Sequence, residues 1–209
     1  LSAATRSDGW ELWELWNRPL VRDALFGPAP LSIDAAMVLV QTCSARNPGL
    51  WIVRSPLSTR LLGCVSLCGW PQAAMNPIWP AAPSGAAELS VAMLPSVWGR
   101  GYGLEAASAL IEHAIRDTPI DLVRATTRCR DLAGLALLYR LGFRRTAERE
   151  GGSGPCIDWS LHAPIFFALL RARTRLAQSR PADAAIAAPP APGAPNSDEF
   201  LDTDVMLGS

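Results

Sequence analysis

Two histidines in 209 residues leave little from which to build a zinc site. The five cysteines, Cys43, Cys64, Cys68, Cys129 and Cys156, are odd in number and no pair is spaced Cys-x-x-Cys. That argues against a disulfide framework and for reduced thiols in a cytoplasmic protein, most of them small core residues. Charge of either sign is not in excess: Lys plus Arg and Asp plus Glu both number 19. No global field therefore favours nucleic acid or an anionic membrane. No apolar run approaches the roughly 18 to 20 residues of a spanning helix. The opening LSAATRSDGW is neither basic nor apolar enough for a signal peptide, and it lacks an initiator Met, which fits a start inside a longer protein. No metal, no membrane and no nucleic acid are expected.

What is present is core-forming material. Hydrophobic residues make up 49% of the chain, and its length suits one domain with or without a tail. Asp8 is placed to cap a helix over GWELWELWNRPL, whose Trp10, Trp13 and Trp16 recur every three residues, with Pro19 closing or bending it. VRDALFG reads as a short helix ending at Gly27, and Ser32 and Asp34 open a third over AAMVLVQTCSA. A turn at Asn47-Pro48-Gly49 leads into two strands, LWIVR and LLGCVSLCGW, then a proline-rich loop over 71–87 and a third strand, ELSVAML. LEAASALIEHAIR is helical, with Leu110, Ile111, Ala114 and Ile115 on one side. DLVRATTRC is a fourth strand. Asp131 caps DLAGLALLYRLG, which stops at Gly142, and FRRTAERE and CIDWSLH complete six strands. APIFFALLRARTRLAQ adds a helix whose Phe166, Phe167 and Leu170 need a covering surface, on this domain or on a second chain, which leaves a homodimer open. The expected organisation is one α/β (α+β) domain over 1–162, a C-terminal helix over 163–180 and a Pro/Ala-rich, disordered tail over 181–209.

The most informative stretch is WGRGYGLEAA, residues 98–107. Gly99, Gly101 and Gly103 stand in five residues, directly before good helix formers, and Arg100 adds a cation. Glycines between a strand and a helix let a ligand approach the backbone, and the first helical turn has unpaired N–H groups and partial positive charge. Together these make an anion cradle, usually for phosphate. A ligand-free glycine turn stands as the alternative. A Walker loop is excluded because no Lys stands there, and a Rossmann fingerprint fits poorly because the loop follows the third strand.

Glu88 opens the preceding strand; Pro95, Trp98-Gly99, Gly101-Tyr102 and Glu105-Ala106 follow, and Leu141-Gly142-Phe143 comes later. In this pattern the chain resembles the GCN5-related N-acetyltransferase (GNAT) superfamily, most closely the branch that acetylates ribosomal-protein N-termini, the RimJ/RimL type. The resemblance covers roughly residues 1–162. It implies a mixed, mostly antiparallel sheet of about six to seven strands, flanked by helices and splayed by a bulge at the fourth and fifth. It implies acetyl-CoA as co-substrate, its pyrophosphate on the amides of Trp98, Gly99, Arg100, Gly101, Tyr102, Gly103 and Leu104, and its pantetheine along Val91, Ala92, Met93 and Leu94. The acceptor is a primary amine on a protein N-terminus or a small molecule.

Acetyl transfer needs an uncharged amine, a polarised thioester carbonyl and a proton for the thiolate. The carbonyl is polarised by a backbone N–H near Ala92 or Met93, and Glu88 is the candidate base. The family often has Tyr four residues before the glycine of LGF, where this chain has Leu138; its Asn-x-x-Ser is Asp131 and Gly134 here. Tyr139, about 100° further round the helix, is the candidate acid, and Asp131 is a candidate contact for the pantetheine. Those three departures keep a second reading open: a GNAT-fold module that binds acyl-CoA, or is catalytically impaired, and serves regulation or interaction.

Overall fold

A computed structural model of the chain describes residues 1–45, 49–67, 85–151 and 154–178. The predicted Asn47-Pro48 turn, Cys68, nearly all of the 71–87 loop and the tail over 181–209 lie outside the described residues. The chain divides into two compact units, Leu1–Ala172 and Arg173–Ser209. The second is described only in the end of one helix.

Three helices come first: α1 (Gly9–Trp16), α2 (Pro19–Leu25) and α3 (Ile33–Ser44). Pro19 does not bend one long helix. It stands at the start of α2, where a missing N–H costs nothing and the fixed φ suits the first turn. Ser32 caps α3 by accepting from the Ala35 amide at 3.2 Å. Asp8 does not cap α1 with its side chain. Its carboxylate accepts instead from the Thr5 amide and hydroxyl and from Arg54. Of the three tryptophans only Trp16 is fully buried. Trp13 donates to the Leu31 carbonyl at 2.8 Å, and Trp10 is 54% exposed.

The strands are β1 (Ser2–Ala3), β2 (Gly49–Arg54), β3 (Leu61–Leu67), β4 (Ala86–Met93), β5 (Leu122–Arg128), β6 (Arg144–Gly151) and β7 (Gly154–His162). They form one seven-stranded sheet in the order β1-β2-β3-β4-β5-β7-β6. All neighbours are antiparallel except β4 and β5. The two-residue β1 is too short to carry a period in the sequence and is defined only by its pairing with β2. Between β4 and β5 runs α4 (Tyr102–Asp117), and between β5 and β6 runs α5 (Leu132–Leu141); α6 (Ala163–Gln178) follows β7.

The sheet has a buried core on each face, as its period of two requires. On one face, Ala87, Leu89, Val123, Ala125, Ile157, Trp159 and Leu161 pack under α4, α5 and the start of α6. Phe166 is buried there, with Phe167 and Leu170 packed beside it. The apolar start of α6 thus covers its own domain and requires no second chain. On the other face, α1 to α3 pack over β2 to β4 through Leu12, Leu15, Trp16, Leu39, Ile52, Cys64 and Ala92. Gly142 ends α5 at φ +95°, and its N–H returns to the Leu138 carbonyl, the left-handed stop expected of a helix-terminal glycine.

Leu141 is fully buried between α5 and the sheet, whereas Leu57 is 96% exposed. Denaturant unfolding of Leu141→Ala is expected to show a loss of about 2–5 kcal/mol. Leu57→Ala should stay within about 0.5 kcal/mol of the parent.

Candidate functional site

The site begins where β4 leaves β5. The two strands pair in parallel only at Ala86, Ala87 and Glu88. From Leu89 to Met93, β4 pairs with β3 alone, in unbroken register. The expected bulge is therefore not seen between β3 and β4; the splay comes from β4 parting from β5 after Glu88. Leu94 donates to the Leu62 carbonyl at 2.8 Å, so the even-numbered residues of β4 turn their backbone groups toward β3. Val91 and Met93 turn theirs the other way, into the gap. This corrects part of the sequence reading. The Ala92 amide faces β3, and the Met93 amide faces the gap.

The gap is a cavity of about 300 Å³. Val91, Ala92 and Met93 form one wall, and Asp131, Ala133, Gly134, Ala136, Leu137 and Arg140 of α5 another. Leu20, Val21, Ala24 and Leu25 of α2 line it as well. One end is the glycine loop, with Val97, Trp98, Gly99, Gly101, Gly103 and Leu104. Gly99 and Gly101 have φ +74° and +89°, the left-handed region that glycine enters without strain. A β-carbon on either would meet no atom within 4 Å, so the space beside the backbone is open. Gly101 starts α4, and the following amides lack a carbonyl one turn back to accept them. Glu105 is the first to donate back, to Gly101. The Trp98 indole donates to the Met93 carbonyl at 2.8 Å. It ties the loop to β4 and satisfies a backbone group that β5 has left unpaired.

Three of the expected loop and strand contacts stand apart from the cavity lining. Leu94 is buried in the core under α1 to α3, Arg100 is exposed, and the Tyr102 side chain is partly exposed outside the cavity. Asp131 caps α5, accepting from the Gly134 amide at 2.9 Å. Its carboxylate occupies the place of a β-carbon on Gly134, with Oδ2 only 2.3 Å from where that atom would be. The two departures at 131 and 134 are thus coupled. Tyr139 is 63% exposed, stacks edge-on against Trp159 at 4.9 Å and does not line the cavity. Leu138 points into the core, and Leu137 is the residue that faces the cavity. Tyr139 stands two residues, about 200° of helix, from the cavity-facing Leu137, so its hydroxyl is turned away from the cavity.

Glu88 is the last β4 residue paired with β5, at the apex of the split. Ala87 and Leu89 belong to the core under α4, so Glu88 faces the other way. It shares that face with Arg124, Thr126 and Asp158. Thr126 donates to Asp158 at 3.0 Å, and Arg149 to the other Asp158 oxygen at 2.8 Å. Burial, reinforced by the negative Asp158, pushes the Glu88 carboxyl from an ordinary 4.5 up to about 7, against the opposing pull of Arg149 and Arg124. The sequence reading missed Arg124, Arg149 and Asp158. The signal available was the alternation in LVRATTR and CIDWSLH, which sets polar residues every second place on strands whose intervening residues are apolar.

Other candidates have simpler places. His113 lies on the surface of α4, its Nδ1 2.6 Å from Asp117. Cys43 and Cys64 are buried, whereas Cys129 is exposed, contrary to the core role expected for it. No cluster of metal-ligating residues is present among the described residues. No helix among them is long and apolar enough to cross a membrane.

Comparison with known proteins agrees with this geometry. The family model described as "Acetyltransferase (GNAT) domain" matches residues 1–144. No curated protein matches the chain significantly. Among solved structures, it is similar to a ribosomal-protein-alanine N-acetyltransferase from Brucella melitensis, with a TM-score of 0.60 at 18% identity over 77% of this chain and 97% of that one. RimL, the ribosomal L7/L12 alpha-N-protein acetyltransferase, solved with coenzyme A, gives 0.62 at 17% identity, over 78% and 92%. The aminoglycoside acetyltransferase AAC(6')-Ib, also solved with coenzyme A, gives 0.60 at 17%, over 82% and 95%. Identities this low speak for a common fold. The match to the family model reaches further, from the first helices through the glycine loop to α5: the chain belongs to the GNAT acetyltransferase family.

Proposed function

We propose that the protein transfers the acetyl group of acetyl-CoA to a primary amine by direct attack on the thioester. One observation carries this reading: a split between β4 and β5 has a bare-amide loop at one end and a half-buried carboxylate of near-neutral pKa at its apex. Acetyl-CoA supplies an activated acetyl group when bound. The amides after Gly101 suit its pyrophosphate, and the outward backbone groups of Val91 and Met93 suit pairing with its pantetheine. The Met93 amide is the candidate donor to the thioester carbonyl. Glu88 takes the proton that the amine must lose as the N–C bond forms and the C–S bond breaks. A carboxylate with a pKa near 7 suits that task near neutral pH. With Tyr139 outside the cavity, water is the proposed source of the proton for the departing thiolate. The free cysteines fit a cytoplasmic setting as part of the same proposal.

A second reading, a module that binds acyl-CoA without turnover, is favoured by one specific feature: Leu137 and Leu138 put no acid on the cavity wall. Calorimetry with acetyl-CoA and a thiol-release assay over amines and peptides separate the two. The chain contains no lysine, so acetylation of its own lysine side chains adds no background. Acetyl-CoA is expected to bind, and Gly101→Glu to abolish binding by filling the open side of the loop with a repelling charge. Amine-dependent thiol release excludes the module; its absence despite binding excludes the transferase.

Two outcomes test Glu88 itself. Glu88→Gln is expected to lower kcat about 10²- to 10⁴-fold and to remove the rise in rate with pH centred near 7. The folded protein holds the Glu88 proton more tightly than the unfolded chain, whose carboxyl titrates near 4.5. Its presence therefore costs stability progressively as pH rises from about 4.5 through about 7, and no further above that. Thermal midpoints compared between parent and Glu88→Gln should show the parent losing ground over that window.

A further inference from the structure

Glu88 and Arg124 are direct partners in the parallel register of β4 and β5. Side chains of paired residues rise from the same face, and their backbones lie about 4.8 Å apart. The two are opposite in charge and adjacent, yet they form no ion pair with each other, and among the described residues neither makes a hydrogen bond or ion pair elsewhere. Arg124 is exposed. The carboxylate best placed to capture it, Asp158, is already engaged by Thr126 and Arg149. The segment 68–84 between β3 and β4 carries no Asp or Glu in its sequence.

The surrounding face is basic. Arg128 and Arg149 rise from it with Arg124, and Arg144, paired with Ser160, joins them, against Glu88 and Asp158. α1 to α3 cover β2 to β4 on this side, and their core includes no residue of β5, β6 or β7. Among the described residues, Arg128 of this face is buried, whereas Arg124, beside the apex of the split, is exposed. A substrate amine brought to Glu88 meets Arg124 one strand away.

We infer that Arg124 recognises the acceptor, and that the acceptor is an amine that also carries a carboxylate: a free amino acid, or a peptide N-terminus with an acidic group close to the amine. This rests on the transferase reading and narrows its substrate. The carboxylate engages the Arg124 guanidinium, which can hold it with two parallel N–H donors, while the amine lies at Glu88. A neutral amine would leave Arg124 without its partner. A lysine at 124 would keep the charge and lose the fork.

The test uses matched pairs with acetyl-CoA and the full chain. Alanine against alaninamide examines the free amino acid. Ala-Glu-NH2 against Ala-Gln-NH2 examines the peptide. At least one carboxylated member is expected to exceed its neutral partner in kcat/KM by about tenfold or more, mainly through KM, as a charged hydrogen bond allows. Arg124→Gln should bring that ratio close to one, and Arg124→Lys should retain part of it. Acetyl-CoA affinity and thermal midpoint should be unchanged in both. Equal rates within both pairs in the parent protein overturn the inference without any variant, as does a preference that survives Arg124→Gln. Calorimetry of the same compounds on the CoA-loaded protein separates this inference from the reading beneath it. Carboxylate-dependent binding that Arg124→Gln abolishes, without turnover, sustains the anion site and sinks the transferase. Turnover of the carboxylated compounds in Arg124→Gln at the parent rate sustains the transferase and sinks the anion site. Neither binding nor turnover of any carboxylated compound overturns the inference.

Discussion

The parting of β4 from β5 after Glu88 is the constraint on which the rest depends. A parallel pair inside a sheet normally satisfies the backbone of both strands. Here the pairing ends after Glu88, and Val91 and Met93 are left with backbone groups facing a gap. An unsatisfied buried group costs about 1–3 kcal/mol, so the gap persists only if something else meets those groups. The Trp98 indole meets one, the Met93 carbonyl. The others are open to an extended ligand.

The glycine loop is the second half of the same device. Gly103 lies beside β4, where a β-carbon would make ordinary contact with the Met93 and Val91 side chains at 3.4 and 3.7 Å. Gly99 and Gly101 leave space on their open sides. The bareness that matters for access is that of Gly99 and Gly101. Asp131 and Gly134 are coupled at the start of α5, where a carboxylate occupies the volume that a larger residue at 134 would need.

Apolar and ionisable surfaces lie side by side around the split. The cavity runs through the gap, bounded by α2 from one face of the sheet and α5 from the other, and its lining is largely apolar. The ionisable groups stand on the face carrying Glu88. Glu88 does not line the cavity; it is the last residue of the parallel pairing, three residues before the β4 wall that Val91 to Met93 form, and a member of the polar face. Its burial raises its proton affinity, and the neighbouring arginines keep that rise from going further.

The sequence by itself determined the elements and the loop. Period-two and period-3.6 patterns are local, and so are the stops at Gly27 and Gly142, the cap at Ser32 and the glycine spacing of residues 99–103. Local chemistry decides such features, so they can be read without a partner. The family pattern of Pro95, Trp98-Gly99, Gly101-Tyr102 and Leu141-Gly142-Phe143 was legible for the same reason. Tertiary structure decided what depends on direction in space. Tyr139 points outward against Trp159, away from the cavity that Leu137 faces, and Cys129 emerged at the end of β5 instead of in the core. Asp8 turned from its helix to Arg54, 46 residues away. Arg124, Arg149 and Asp158 became a group only when β5, β6 and β7 came into register. Charges that lie far apart in the chain have no common period, and only the pairing of strands brings them onto one face.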